Sequence, residues 1–138
     1  MNAKWFLRIA AIFIFIHLLG HSMGHSGWDK PKDPRMQEVV DAMKSYEGQF
    51  MGASQSMADY FNGYSLILFL VLGMSVVQLW IASGIIDSNR EITKKLLYPV
   101  AIAYFGFSII EFVYFFPFAA GISFLAGLFT LLSILSKR

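Results

Sequence analysis

Four stretches of this chain are long and apolar enough to cross a bilayer, and no other feature restricts the fold as much. A spanning helix takes about 20 mostly apolar residues, because each advances it roughly 1.5 Å through a hydrocarbon core of roughly 30 Å. The stretches cover about 5–24, 60–86, 96–116 and 118–135. Of the 138 residues 57% are hydrophobic and 14% charged, with a mean hydropathy of +0.58, against about 25% charged in soluble domains. A chain this short has too little interior to hide those side chains from water, whereas lipid solvates them directly. The predicted fold class is therefore all-α: a four-transmembrane-helix bundle, one membrane domain over 1–138, with an amphipathic helix in the first extracytoplasmic loop, about 25–59.

Phe116-Pro117 separates the last two spans. Proline lacks an amide hydrogen and disfavours helix at the residue before it, which predicts a tight helical hairpin. Lys4 and Arg8 precede a short apolar stretch, Ile9 to Ile16, as they would in a secretory signal peptide. No Ala-x-Ala cleavage pattern follows, so the first span is expected to be retained. Seven Lys and Arg flank one side of the spans (Lys4, Arg8, Arg90, Lys94, Lys95, Lys137, Arg138). Four flank the other, in the long loop (Lys30, Lys32, Arg35, Lys44). The asymmetry predicts a multi-pass membrane protein with both termini cytoplasmic.

The long loop has its own pattern. Asp33-Pro34 supplies an N-cap and a first-turn proline, and Met36, Val39, Val40, Met43 and Phe50 recur at helical steps, which predicts an amphipathic helix lying over the bundle or at the lipid interface. The absence of cysteine excludes disulfides, thiolate metal sites, iron–sulfur clusters and c-type haem. A net charge of +2, dispersed along the chain, excludes a nucleic-acid partner. The expected partners are membrane lipid and a larger membrane protein complex or homo-oligomer. No cofactor is specified.

Polar groups inside the spans carry the functional information. Glu111 lies between Ile110 and Phe112; an ionisable residue in hydrocarbon costs up to about 3 kcal/mol and marks a functional site by default. Tyr104, Ser108, Glu111 and Tyr114 fall at steps of four and three, on one helical stripe. His17, His21 and His25 follow at four-residue steps along the first span, with His25 expected beyond its end. Helix rise brings His21 and Glu111 to one depth, near Asp59, Asn62 and Tyr64 at the start of the second span. The expectation is a polar cluster near the outer face centred on a His21–Glu111 pair. Three readings stay open: a network that locks helix registry, a site for a lipid headgroup, metal ion or small ligand, and an acid–base pair. His17, His21, Glu111 and Asp59 are chemically adequate zinc ligands, but no local metal motif joins them. Elsewhere, Gly20-x-x-x-Gly24 and Ala119-x-x-x-Ser123-x-x-x-Gly127 have the spacing of close helix packing, and Met51 and Met57 read as core.

Gly20-His21-Ser22-Met23-Gly24, with Met51-Gly52-Ala53-Ser54-Gln55-Ser56 and Asp59-Tyr60-Phe61-Asn62-Gly63-Tyr64, resembles a family of small uncharacterised bacterial four-helix integral membrane proteins. That family carries Gly-His-Thr-x-Gly at the end of its first helix and a Met-Gly…Arg-Ser-x-x-Asp-Phe-Tyr-x-Gly-Phe-Gly stretch before its second. The resemblance covers roughly the first 80 residues. It points to His21, Gly24, Gly52, Ser56, Asp59 and Gly63, and it implies architecture and no activity. Gln55 stands where the family has Arg, Ala58 where it often has Trp, and Ser65 where it has Gly; the first change removes a charge partner for Asp59.

These features, with the bacterial source that the resemblance implies, lead to an expected non-enzymatic binding or accessory subunit of the bacterial inner membrane. The alternative is a membrane-embedded enzyme or oxidoreductase-associated protein that takes a metal or quinone-like ligand through His21 and Glu111.

Overall fold

A computed structural model describes residues 2–136; Lys137 and Arg138, counted in the charge asymmetry, lie outside the described residues. The chain is an all-helical four-span bundle with a short β-hairpin before the second span. Its elements are α1 (Ala3–Gly27), α2 (Pro34–Ser45), β1 (Glu47–Phe50), β2 (Ala53–Ser56), α3 (Met57–Ile85), α4 (Arg90–Tyr114) and α5 (Pro117–Leu135). The four long helices are each sufficient in length and apolarity to cross a membrane. The chain divides into two compact units: the described residues up to Leu19 together with those from Leu72 onward, and Gly20–Val71.

In the first unit, α1 buries Ala3, Leu7, Ala10, Ala11 and Ile14. The three- and four-residue steps from Ala3 through Leu7, Ala10 and Ile14 continue to His17. Helix α4 buries Thr93, Leu97, Ala101, Tyr104 and Glu111 along its own stripe. The last two spans form the expected hairpin: α4 ends at Tyr114, and Pro117 occupies the first turn of α5.

Small side chains bring α4 and α5 close. Ala119, Ser123, Ala126, Gly127 and Thr130 are all buried along α5, and a Cβ at Gly127 would stand 3.3 Å from the Ala101 carbonyl oxygen and from the Phe105 ring. Phe105 meets Phe124 edge-on, while Phe13 of α1 stacks on Phe129 of α5. The Arg8 guanidinium lies 5.1 Å from the Trp5 ring centre and 5.0 Å from that of Trp80 on α3, a cation–π arrangement. Arg90, at the start of α4, donates to the carbonyl oxygen of Ser136 just beyond α5.

The second unit departs from the expected loop. Asp33 caps α2, accepting from the Arg35 amide at 2.9 Å, with Pro34 in the first turn. The helix ends at Ser45, so Phe50 belongs to β1 instead of the amphipathic face. Of that face only Val40 is buried, and Met36 and Val39 stay exposed. The four-residue strands pair antiparallel from Glu47↔Ser56 to Phe50↔Ala53. Met51 and Gly52 make the two-residue turn, with φ of 52° and 86°. Positive φ at both positions is the hairpin turn that matches strand twist, and glycine supplies the second at no steric cost. Met51, expected as core, is 90% exposed at the tip, and Met57 is exposed as well.

The segment after α1 is pinned to α2 and α3. Lys44 donates to Asp29 at 3.1 Å and lies 5.9 Å from the Trp28 ring centre, and the Trp28 indole donates to Asn62 at 3.0 Å.

The Gly127 contact predicts that Gly127→Val costs about 1–3 kcal/mol through overpacking. Reversible unfolding in mixed micelles, followed by far-UV circular dichroism, checks this, with Gly121→Ala as a near-neutral control because nothing lies within 4 Å of a Cβ there. Asp29 predicts an acid transition. Its hydrogen bond from Lys44 holds the carboxyl below its ordinary 3.8, so the bond's contribution is complete above that value and is lost as pH falls through the depressed one. The Trp28 indole resonance should shift at a pH below 3.8 in the wild type and lose that step in Lys44→Met.

Candidate functional site

The buried stripes of α1 and α4 both end in ionisable groups, and these meet. His17 follows Ile14 by three residues, and Glu111 follows Tyr104 by two turns. His17 Nε2 stands 3.4 Å from Glu111 Oε1, and both side chains are about nine-tenths buried, at 11% exposure each. The other ring nitrogen, Nδ1, is 3.3 Å from the Ser123 hydroxyl on the small-residue face of α5. Three helices of the first unit thus contribute one group each. The distances are slightly longer than a well-formed N–H···O bond, which is near 2.9 Å. With Nε2 donating to the carboxyl, Nδ1 accepts the Ser123 proton, and all three groups belong to one chain of hydrogen bonds.

Glu111 keeps one unused oxygen. Oε2 is buried and makes no well-formed hydrogen bond, with the Ser123 hydroxyl beside the carboxyl. Farther along α4, Tyr104 is buried edge-on to Phe107, and its hydroxyl lies beside Ser75 of α3. Ser108 is half-buried between them in sequence. Tyr114, predicted to complete the stripe, is 77% exposed because it is the last residue of α4, where the helix gives way to the hairpin turn.

The imidazole within reach of Glu111 is therefore that of His17, whereas the expectation centred on His21. In the second unit, His21 Nε2 lies 3.0 Å from both the carbonyl oxygen and the hydroxyl of Ser65. The Ser65 hydroxyl also lies 2.9 Å from His25 Nδ1. His25 is inside α1, which runs three residues beyond the expected end, so the four-residue step places both rings on Ser65 and edge-on to Phe69. A consistent assignment has His21 Nε2 donating to Ser65 and the Ser65 hydroxyl donating to His25.

The remaining expected members serve other roles. Asp59 is exposed and closes a capping box: its Oδ2 accepts from the Ser56 amide at 2.8 Å and from the Ser56 hydroxyl at 2.6 Å, while the Asp59 amide donates to that hydroxyl at 3.1 Å. Asn62 is half-buried and takes the Trp28 indole proton. Tyr64 is 70% exposed. Gly20 and Gly24, spaced for close packing, have nothing among the described residues within 4 Å of where a Cβ would stand. Among the described residues no three His, Cys, Asp or Glu side chains converge on a point that could hold a metal ion.

Ser123 and Ser65 were missing from the expected site. Ser123 reads as a packing residue, and only the helical phase of α5 turns it to His17. The signal for Asp59 was present in Ser56-x-x-Asp59, the serine–acid spacing of a helix start.

No protein-family model, curated protein or solved structure matches the chain. The resemblance at Gly20–Gly24 and Met51–Tyr64 accordingly rests on those motifs alone.

The contact of His17 with Glu111 predicts a measurable coupling. Relative to wild type, His17→Leu should cost about 1–3 kcal/mol, because it strands a buried carboxyl. The double-mutant cycle with Glu111→Leu should return a coupling of about 1 kcal/mol, the upper range for polar pairs between membrane helices. Additive losses in unfolding experiments would show that the contact carries no energy.

Proposed function

We propose that the protein is a non-enzymatic accessory subunit of a bacterial inner membrane, with both termini cytoplasmic, whose buried polar node holds three spans in register. The observation that carries the reading is the 3.4 Å contact of His17 with Glu111, extended to Ser123. A carboxyl in an apolar helix costs free energy unless another group meets it. Here the groups that meet it come from two other helices, so sliding or rotating any of the three separates them. A pair of this kind serves registry without any opening to solvent, whereas catalysis needs access for substrate as well as an acid and a base. A scaffold of this kind acts through the proteins it holds. The α3–α4 face supports this: a groove of about 490 Å³ there is lined by Met74, Val77, Ile81, Thr93 and Leu96, with Gln78 among them, and the Gln78 amide is exposed within a span.

A second reading is favoured by one atom. Glu111 Oε2 is buried without a well-formed hydrogen bond, which leaves an oxygen to bind a metal, to accept from a quinol or, once protonated, to donate to a quinone, and, with His17 in contact, the means to pass a proton. On this reading the protein is a membrane-embedded enzyme or oxidoreductase-associated protein.

Extraction in a mild detergent, with size-exclusion light scattering and mass spectrometry of the eluate, separates the two. The subunit reading expects a larger assembly containing other membrane proteins or further copies, and Glu111→Gln should leave that assembly intact because its amide still meets His17. A monodisperse lone protomer overturns it. Stoichiometric metal by elemental analysis, or quinone by solvent extraction, lost in Glu111→Gln, establishes the second reading.

A further inference from the structure

We infer that the pocket at the start of α3 binds a zwitterionic lipid with a primary-amine headgroup, the ammonium resting on Asp59. This site goes beyond the accessory role proposed above and shares no residue with the Glu111 node.

The pocket has a volume of about 310 Å³ and is lined by Gln55, Asp59, Tyr60, Gly63, Tyr64 and Ile67. The steps 59–63–67 and 60–64 put these residues in two adjacent rows on one side of α3. Their chemistry changes along the helix in the order of a lipid: a carboxylate in the first turn, then two phenol rings, then an exposed isoleucine. Gly63 keeps the floor open, since nothing lies within 4 Å of where its Cβ would stand.

Depth agrees with this order. Helix α3 has 29 residues, about 44 Å of rise against roughly 30 Å of hydrocarbon, so its first turns stand at headgroup level. From Asp59 to Ile67 is about 12 Å along the axis, enough to pass from headgroup to acyl chain.

The carboxylate has a free acceptor. Oδ2 is taken by the Ser56 amide and hydroxyl, and Oδ1 makes no hydrogen bond and no ion pair among the described residues. Gln55 beside it is neutral. An exposed carboxylate next to two aromatic faces selects an organic ammonium, which gains both charge and ring contact. A primary ammonium also donates N–H to Oδ1, which a quaternary one does not. The phenol hydroxyls and the Gln55 amide supply donors for the phosphate, while Asp59 repels a lipid whose headgroup is only anionic.

Native mass spectrometry of the full chain in mild detergent tests this, with phosphatidylethanolamine, phosphatidylcholine and phosphatidylglycerol supplied at equal concentration. Phosphatidylethanolamine adducts should dominate. Asp59→Asn, whose amide oxygen still accepts from Ser56 and keeps the cap, should lower them about tenfold, the loss of one charge-assisted bond, and raise phosphatidylglycerol adducts, because the repelling charge is gone. Gly63→Leu should remove them by filling the floor, with the circular dichroism spectrum retained. If Asp59→Asn loses helicity, Tyr64→Leu at an exposed position replaces it and should reduce phosphatidylethanolamine adducts selectively. Phosphoethanolamine without acyl chains, at the same concentration as the lipid, should not compete. Equal occupancy by phosphatidylglycerol, unchanged binding in both Asp59→Asn and Tyr64→Leu, or displacement by free phosphoethanolamine overturns the inference.

Discussion

Hydrocarbon neither donates nor accepts a hydrogen bond, so every polar atom carried into it has to be met by the protein itself. Three buried hydroxyls here are met by a backbone carbonyl one turn earlier. Ser83 donates to the Trp80 carbonyl, Thr93 to that of Asn89 and Thr130 to that of Ala126. These bonds cost no tertiary specificity and create none. Glu111 is different, because a carboxylate oxygen accepts and finds no amide proton free along a continuous helix. It is met by His17 from another span, and that need ties α1 to α4 and, through Ser123, to α5.

The spans were legible because length and apolarity alone set them; the limits shifted by a few residues where polar ends such as Arg90-Glu91-Ile92 continue the helix outside the apolar window. The break at Pro117 and the cap at Asp33 followed from the backbone chemistry of proline and aspartate. The hairpin was hidden, since four-residue strands show no alternation and the turn carries Met51 where asparagine or aspartate is the usual signal. Glu111 was legible as costly wherever it pointed. Its partner was not, because His17 and His21 share a face and both continue the buried stripe Leu7, Ala10, Ile14, so only the level of Glu111 along the helix axis selects the first.

The histidines consequently occupy two chemical settings. His17 faces a carboxyl, where a proton can be held between two basic groups. His21 and His25 face one serine hydroxyl and the edge of Phe69, where the rings are oriented by a neutral group. Four-residue spacing in sequence therefore does not by itself define a shared ligand set; what each ring faces decides.

Arg8 and His17 are nine residues apart, which at about 100° per residue is half a revolution of the helix. One side of α1 is clasped by the Trp80 indole and the opposite side by Glu111 and Ser123. Torque applied to α1 about its own axis therefore meets resistance on both flanks at once, so this segment transmits a twist to its neighbours as a shaft keyed at two points does, instead of spinning idly in the lipid.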